Sequence, residues 1–221
     1  MFVQKHPKAL SKIVLILSKD SKMAKDLKVH YTELLKTHGR NIKAVQLVST
    51  ADQYKRFEII CQNISEQESV IDLGCGLGDM LKFLREKGFK GKYLGADFVE
   101  GFINENEAYF AEDSHASFMT LDIVKDVLPS SYDHVVLSGV FNNIMQDNDE
   151  FMKITLQKMF TAARRSIRFN MMSTYVDYQA DDLYYYDPRE VFDFCKGNLS
   201  GLVTLKHDYG LGKNNFAYEF S

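Results

Sequence analysis

A glycine-rich turn carries the residues best suited to chemistry in this chain of 221 residues. Gly74, Gly76 and Gly78 recur at every second position, directly after the acid Asp72. Glycine admits positive φ angles and lets the backbone approach a ligand without a Cβ atom. A further acid, Asp97, ends the next β-rich run, where a carboxylate can accept both hydroxyls of a ribose. These residues predict a site for an adenosine-type ligand.

The spacing of the glycines separates two classes of cofactor. Dinucleotide-binding turns read G-x-G-x-x-G and bring a helix N-terminus to a pyrophosphate. This turn reads G-x-G-x-G and follows Asp72, an acid that would repel a phosphate but suits a cationic group. The pattern therefore favours a nucleoside that bears an amino-acid tail. A βα turn that needs its glycines only for packing is the alternative.

The elements that must position these residues follow from hydrophobic periodicity. Short β-rich runs alternate with helical patterns from residue 69 onwards, which is typical of βαβ units and a mainly parallel sheet. We expect strands at Ser69–Leu73, Lys92–Ala96, Ser117–Thr120, His134–Ser138, Ser166–Met171, Leu202–Lys206 and Phe216–Phe220, the last two as a hairpin. The last helix is predicted to begin with Asp187 as N-cap and Pro188 at its first position, and to end before Gly197.

Two amphipathic helices are predicted before the first strand. One ends at Gly39, and the other begins at Thr50, where Gln53 three residues later completes a capping box. We expect residues 1–66 to form a helical segment that covers the active site. Residues 67–221 are expected to form the ligand-binding domain, with both parts in one structural unit.

Motifs at 72–78, 94–97, 121–123 and 133–142 resemble those of the class I S-adenosylmethionine-dependent methyltransferases. The resemblance implies an α/β fold: a Rossmann-like seven-stranded sheet in the order 3-2-1-4-5-7-6, its last strand antiparallel, flanked by helices and extended by N-terminal helices. It also implies S-adenosyl-L-methionine as the cofactor. The residues implied to bind it are Asp72, Gly74, Cys75, Gly76, Gly78, Asp97, Phe98, Leu121, Asp122, Ile123, Ser138 and Gly139.

A narrower resemblance is to a group of small bacterial methyltransferases of mostly unassigned substrate. It is carried by segments 38–39, 53–57, 169–178, 182–188 and 207–209. Arg56 belongs to the second of these segments, and its guanidinium could hold the carboxylate of the cofactor in a bidentate pair. A solvated cation on the helix surface is the alternative for Arg56.

Methyl transfer from a sulfonium depends mainly on alignment of the acceptor, so a strong base is optional. His38 and His207 are the candidate bases, because histidine titrates near working pH. A helix cap for His38 and an ordinary strand-end pair for His207 are the alternatives. The residues expected to bind the acceptor are Tyr31, Asn142, Tyr175 and Tyr178.

Composition excludes several classes of protein. With 27 Lys and Arg residues against 30 Asp and Glu, the chain lacks the basic surface that strong nucleic-acid binding needs. No apolar run approaches the roughly 20 residues that span a bilayer, so we expect a cytoplasmic protein without a membrane partner. Cys61, Cys75 and Cys195 are widely separated, which indicates neither a disulfide framework nor a metal site.

Absent motifs narrow the substrate. Residues 138–143 follow the fourth strand and contain no Asn/Asp-Pro-Pro-aromatic tetrad, which disfavours methylation of planar nucleobase amines. They contain no Pro-Cys nucleophile either, which disfavours methylation of pyrimidine carbon 5. We therefore predict in-line transfer of a methyl group to O or N of a small-molecule acceptor, by a monomer or homodimer. An RNA or protein methyltransferase and a noncatalytic cofactor-binding regulator are the alternatives.

Overall fold

Five parallel strands form the centre of the fold, and two further strands extend one edge, each antiparallel to the strand before it in the sheet. The structure is a computed structural model that describes residues 26–47, 49–208, 210–211 and 215–220. The strands are β1 (Val70–Leu73), β2 (Tyr93–Asp97), β3 (Ala116–Thr120), β4 (Tyr132–Leu137), β5 (Ala163–Met172), β6 (Leu205–Lys206), β7 (Gly210–Leu211) and β8 (Asn215–Phe220). The helices are α1 (26–38), α2 (Thr50–Ile60), α3 (Asp79–Glu86), α4 (Glu100–Tyr109), α5 (Asn148–Ala162) and α6 (Pro188–Asn198).

The sheet runs in the order β3-β2-β1-β4-β5-β8-β6, and β7 pairs with β8 outside this path. The Rossmann-like fold class and its flanking helices are confirmed. Seven strands were predicted, and the part of the chain that the structure describes forms eight, because a short β7 precedes β8. β8 is antiparallel to both β5 and β6.

Burial on both faces explains why the central strands read as continuous apolar runs. Every residue of β1 and β2 is buried. One core cluster joins α5 and α6 to the sheet through side chains such as Leu156 and Val191. A second cluster joins α2 and α3 through Phe57 and Leu81, and these two layers fix the carboxyl ends of the strands in space.

The first helix ends as predicted, at the left-handed residue Gly39, whose N–H donates to the Leu35 carbonyl. The predicted capping box of the second helix is wrong by one residue. Ser49 is the N-cap, and its hydroxyl accepts a hydrogen bond from the Asp52 N–H. Gln53 is therefore not a capping residue, and its side chain is buried.

The last helix begins as predicted, with Asp187 accepting from the Arg189 N–H and Pro188 in the first turn. Its predicted end is wrong, because Gly197 lies inside the final turn and Leu199 is the C-cap. The Leu199 and Ser200 N–H groups both donate to the Cys195 carbonyl, so the end needs no glycine. In the part of the chain that the structure describes, no helix combines the length and apolar character needed to cross a membrane.

Candidate active site

A cavity of about 230 Å³ lies at the carboxyl ends of β1 to β4. Open parallel sheets bind their ligands at this edge, outside the strand ends. The loops after the four strands form one side of the wall. The N-terminal cover, which we define as residues 26–47, forms part of the opposite side through Leu27, Tyr31 and the segment Val45–Leu47.

The glycine turn after β1 is shaped by its protein neighbours. Gly74 and Gly76 have φ angles of +73° and +51°, in the left-handed region that favours glycine. A Cβ atom on Gly74 would lie 2.2 Å from Cγ2 of Val140, and one on Gly76 would lie 2.8 Å from Cγ1 of Val45. From the sequence, the glycines were expected to leave this space for a ligand. The structure fills it with Val140 and with Val45 of the cover.

Asp97, at the end of β2, joins the glycine turn to the cavity. One carboxylate oxygen accepts from the Gly76 N–H at 3.0 Å, and the other accepts from the Val99 N–H at 2.9 Å. Burial raises the pKa of Asp97 to about 6, although these backbone donors act to lower it. The carboxylate is thus held rigidly in the cavity wall with lone pairs left to accept further hydrogen bonds.

Asp72, the penultimate residue of β1, is a second buried acid in the wall. The Tyr93 hydroxyl donates to its carboxylate at 2.6 Å. Burial raises the pKa of Asp72 to about 7, and the hydrogen bond from Tyr93 opposes that rise. Sequence reasoning missed Tyr93. Its signal was a hydroxyl in an otherwise apolar buried strand, where such a group needs a partner.

Hydrogen bonds from side chains stabilise the loop after β3. Asp122 accepts hydrogen bonds from the Val124 N–H at 3.0 Å and from the Lys125 ammonium at 2.5 Å. The Lys158 ammonium, on α5, donates to three carbonyls of this loop, those of Ile123, Val124 and Asp126. These bonds fix the part of the wall formed by residues 121–124.

The loop after β4 is fixed from the neighbouring strand. The Gly139 N–H donates at 2.8 Å to the side-chain oxygen of Asn170, which lies buried in β5. Further along, the Asn142 carbonyl accepts from the Tyr184 N–H at 2.9 Å. The side-chain oxygen Oδ1 of Asn142 is buried in the wall and has no hydrogen-bond partner among the described residues. It is therefore positioned to accept a hydrogen bond from a ligand.

Helices α1 and α2 complete the wall. The Tyr31 hydroxyl donates to Oδ1 of Asn143 at 3.1 Å, which connects the cover to the loop after β4. From α2, Arg56 lines the cavity, and the Gln53 side-chain amide donates to Asp79 at 3.1 Å. Sequence reasoning assigned Gln53 to a cap. Its spacing from Phe57 on the buried face of the helix was the signal for an inward position.

The structure brings most of the predicted site residues together. Those that line the cavity are Tyr31, Arg56, Asp72, Gly74, Cys75, Asp97, Phe98, Leu121, Asp122, Ile123, Ser138, Gly139 and Asn142. Gly76 and Gly78 belong to the turn but lie outside the wall. The residues that sequence reasoning missed include Val45, Gln46 and Leu47, whose segment shows no helical or strand periodicity.

Besides these two glycines, four predicted residues lie outside the cavity wall. His38 is exposed at the end of α1. Tyr175 and Tyr178 are 50% and 69% exposed, and the ring of His207 lies 6.2 Å from the ring of Tyr175. Burial lowers the pKa of His207. The catalytic and substrate-binding roles of these residues stay predictions.

The charged groups of the wall favour a cationic ligand. Four acids, Asp72, Asp79, Asp97 and Asp122, line the cavity with one cation, Arg56. S-adenosyl-L-methionine has a sulfonium, an ammonium and one carboxylate, so this set of donors and acceptors fits it. Within the described ranges, no group of three or more His, Cys, Asp or Glu side chains is arranged to hold a metal ion.

Comparisons with known proteins decide the family. The family model described as a methyltransferase domain matches residues 71–164. The Mycobacterium tuberculosis protein Rv1506c, which is named as a methyltransferase, is 35% identical over 165 residues that cover 72% of this chain and 93% of that protein. This chain belongs to the class I S-adenosylmethionine-dependent methyltransferases. The methyltransferase thus uses S-adenosyl-L-methionine as its cofactor, as the motifs predicted.

Two further comparisons are with methyltransferases whose names state different acceptors. Magnesium protoporphyrin IX methyltransferase from Synechocystis PCC 6803, solved with bound SAH, has a TM-score of 0.60 at 14% identity, over 95% of this chain and 98% of that one. It shares the fold. The Saccharomyces cerevisiae protein-lysine N-methyltransferase EFM4 is 40% identical over 86 residues, which is 37% of each chain.

Proposed function

We propose that this methyltransferase transfers the methyl group of S-adenosyl-L-methionine to an oxygen or nitrogen atom of a small, uncharged acceptor. The observation that carries the proposal is Oδ1 of Asn142, a buried hydrogen-bond acceptor in the cavity wall without a donor in the described part of the chain. A buried polar atom without a partner costs free energy, and a substrate N–H or O–H would remove that cost.

The cofactor takes the side of the cavity nearest the glycine turn in this proposal. Asp97 accepts the ribose hydroxyls, Asp72 faces the cationic tail, and Arg56 pairs with the cofactor carboxylate. The adenine would contact Leu121 and Ile123, which line this part of the cavity. Asp122, whose oxygens already accept from its own loop, shapes this contact by holding the turn.

Asp79, which directly follows the glycine turn at the start of α3, is assigned to the cofactor side as well. The part of the wall left to the acceptor has no charged residue among those described. It consists of Leu27, Tyr31, Leu47, Asn142, Asn143, Met145 and Leu183. A cationic group such as a lysine ammonium would find no acid on this side, and burying an unpaired charge is costly. We therefore favour a neutral acceptor whose body is largely apolar.

The transfer step needs few groups from the protein. The acceptor donates its N–H or O–H to Asn142 Oδ1, and this bond directs a lone pair of the acceptor atom at the methyl carbon. The lone pair forms the new bond while the C–S bond breaks, and the sulfonium becomes the neutral thioether of S-adenosylhomocysteine. The acceptor proton leaves to water or to a base, for which His38 and His207 stay the predicted candidates. Alignment of this kind supplies much of the rate.

We propose in addition that residues 1–66 and 67–221 act as one unit, since the wall uses both. The seven strands of the main path are proposed to correspond to the seven-stranded arrangement of the family, with β7 outside it. The protein acts as a monomer or homodimer.

Transfer of a labelled methyl group tests the acceptor class. The protein is incubated with methyl-deuterated S-adenosyl-L-methionine and a bacterial extract that has been separated into a low-molecular-weight filtrate and a macromolecular fraction. We expect labelled products in the filtrate by mass spectrometry, at least about tenfold reduced in Asn142→Ala, which removes one buried acceptor. Asn198→Ala, on the exposed face of α6, is the matched control. Label confined to protein or RNA would contradict the proposal.

A further inference from the structure

Arg40 belongs to the N-terminal cover and contacts the glycine turn, residues 74–78, but it is not part of the cavity wall. Its guanidinium donates to the Leu77 carbonyl at 2.5 Å and to Oδ1 of Asn106 at 3.0 Å. Its Cζ atom lies 4.0 Å from the centroid of the Tyr109 ring. A single side chain of the cover therefore binds both the turn and helix α4.

Asn106 continues this network toward the turn. Its side chain is completely buried, and its amide donates to the Gly76 carbonyl at 2.8 Å. Arg40 occupies the oxygen of the same side-chain amide, so it fixes which way that amide points. Two consecutive carbonyls of the turn, those of Gly76 and Leu77, thus accept hydrogen bonds from side chains that lie outside the cavity wall.

The network reaches the cavity through Gly76. The N–H of this residue donates to the carboxylate of Asp97, and its carbonyl accepts from Asn106. Gly76 lies in a turn and has a left-handed φ of +51°. The hydrogen bonds of a helix or a sheet therefore do not fix the peptide planes on either side of it. The orientation of its N–H, and with it one of the two backbone bonds to Asp97, depends on the bonds that Asn106 and Arg40 make to the turn.

We infer that Arg40 and Asn106 are positioning residues for the cofactor, because they hold the glycine turn in the shape that aims the Asp97 carboxylate at the ribose. The inference rests on the proposed assignment of Asp97 to the ribose hydroxyls. Neither residue lines the cavity, so both act through Gly76. The cover then has a second role beyond closing the cavity, since it also sets the geometry of the binding groups beneath it.

Arginine suits this place for a chemical reason. Its planar guanidinium donates in two directions while one face stacks on an aromatic ring, which a lysine ammonium cannot do. Arg40→Lys should therefore keep the charge and one hydrogen bond but lose the second bond and the stacking. We expect it to bind the cofactor with an affinity between those of the wild type and Arg40→Met.

Calorimetric titration of the full-length protein tests the inference. The probes are S-adenosylhomocysteine, 5′-methylthioadenosine and the 2′-deoxy analogue of 5′-methylthioadenosine. We expect Arg40→Met and Asn106→Ala each to weaken S-adenosylhomocysteine binding about tenfold, the effect of losing a charge-assisted or buried hydrogen bond. The double variant should lose less than the sum of the two, because both residues act through one turn.

The ratio of affinities for 5′-methylthioadenosine and its 2′-deoxy analogue separates positioning from general structural damage. Misaiming Asp97 should bring this ratio toward one in Arg40→Met, whereas damage elsewhere should weaken both ligands alike. Arg85→Met is the matched control. Arg85 also stacks on an aromatic ring and donates to two carbonyls, those of Phe89 and Gly91, but it is remote from the turn. Its variant should melt at a lower temperature and keep the wild-type ratio.

Three results would overturn the inference. The first is an unchanged ratio in Arg40→Met and Arg40→Lys, even if both bind S-adenosylhomocysteine more weakly. The second is a strictly additive double variant. The third is a wild-type ratio of one that Asp97→Asn leaves unchanged, which would refute the assignment of Asp97 to the ribose itself. That last outcome marks a failure of the proposed cofactor contacts, and the first two mark a failure of the positioning network alone.

Discussion

The buried carboxyl of Asp72 gives a prediction whose sign and size follow from its pKa. Burial raises this pKa from the ordinary 3.8 to about 7. The folded protein therefore keeps the Asp72 proton at pH values where the unfolded chain has already lost it, and this carboxyl reduces stability as the pH rises from 3.8 through 7. Asp72→Asn replaces it with a neutral amide whose oxygen can still accept from Tyr93.

Linkage converts these two pKa values into free energy. With 1.36 kcal/mol for each pH unit, the cost that the Asn variant removes is about 2 kcal/mol at pH 5 and about 4 kcal/mol at pH 8.5. For a chain of this length, a gain of 1 kcal/mol raises the melting temperature by about 2–4 °C. The advantage of Asp72→Asn over the wild type should thus be about 5 °C larger at pH 8.5 than at pH 5.

The assay is thermal unfolding of the ligand-free protein across that pH range, with and without S-adenosylmethionine. Asp193→Asn, at an exposed position on α6, is the control for the exchange of an acid for its amide. At pH 8.5, where the Asp72 carboxyl is ionised, added S-adenosylmethionine should stabilise the wild type more than Asp72→Asn, because only the wild type offers a carboxylate to the cation. An advantage of Asp72→Asn that stays constant from pH 5 to pH 8.5 would refute the reasoning.

Three further substitutions are predicted from contacts of the site. Gly74→Ala should lower the free energy of unfolding by about 2–4 kcal/mol in urea titrations, because the added Cβ would clash with Val140 and the φ angle is positive. Adding Val140→Ala should recover only the part of this loss that is due to the clash. Lys158→Met should lower the melting temperature by a few degrees and weaken S-adenosylhomocysteine binding, because three carbonyls of the loop after β3 lose their donor; unchanged binding would contradict this. Tyr93→Phe should raise the pKa of Asp72 further, so the pH midpoint for binding S-adenosylmethionine should move upward; a midpoint that moves downward would be the contrary result.

Local sequence determined the cofactor side of the site. The acid Asp72 and the glycines after it lie within one turn, and Asp97 lies at the end of the adjacent strand, so periodicity and short-range spacing were enough to place them. The strand order was implied by the resemblance to the family, whereas the glycine turn and the mainly parallel sheet were predicted from the residues themselves. These features depend on neighbours in the chain and could be read from it directly.

The rest of the site depends on contacts between distant parts of the chain. Arg40 meets Leu77 across 37 residues, and the segment around Val45 has no period that would predict its position over the turn. For the histidines, the residue type was suitable for a base but the position could not be predicted. His38 has a suitable side chain, but the rotation of α1 exposes it, and no local pattern determined that rotation. Residue type indicated a possible chemistry, and only packing determined its location.

The two sides of the cavity are formed by different kinds of segment, strand ends on one side and mainly loops and the cover on the other. This difference has a consequence for how the protein can change over evolution. The proposed cofactor contacts come from residues at the ends of strands on which the whole sheet depends. Most of the acceptor side comes from the cover and from residues 142–145 and Leu183, which lie outside regular strands. Substitutions there alter the acceptor pocket without disturbing the parallel core. Such a chain can acquire a new substrate while its methyl donor stays the same.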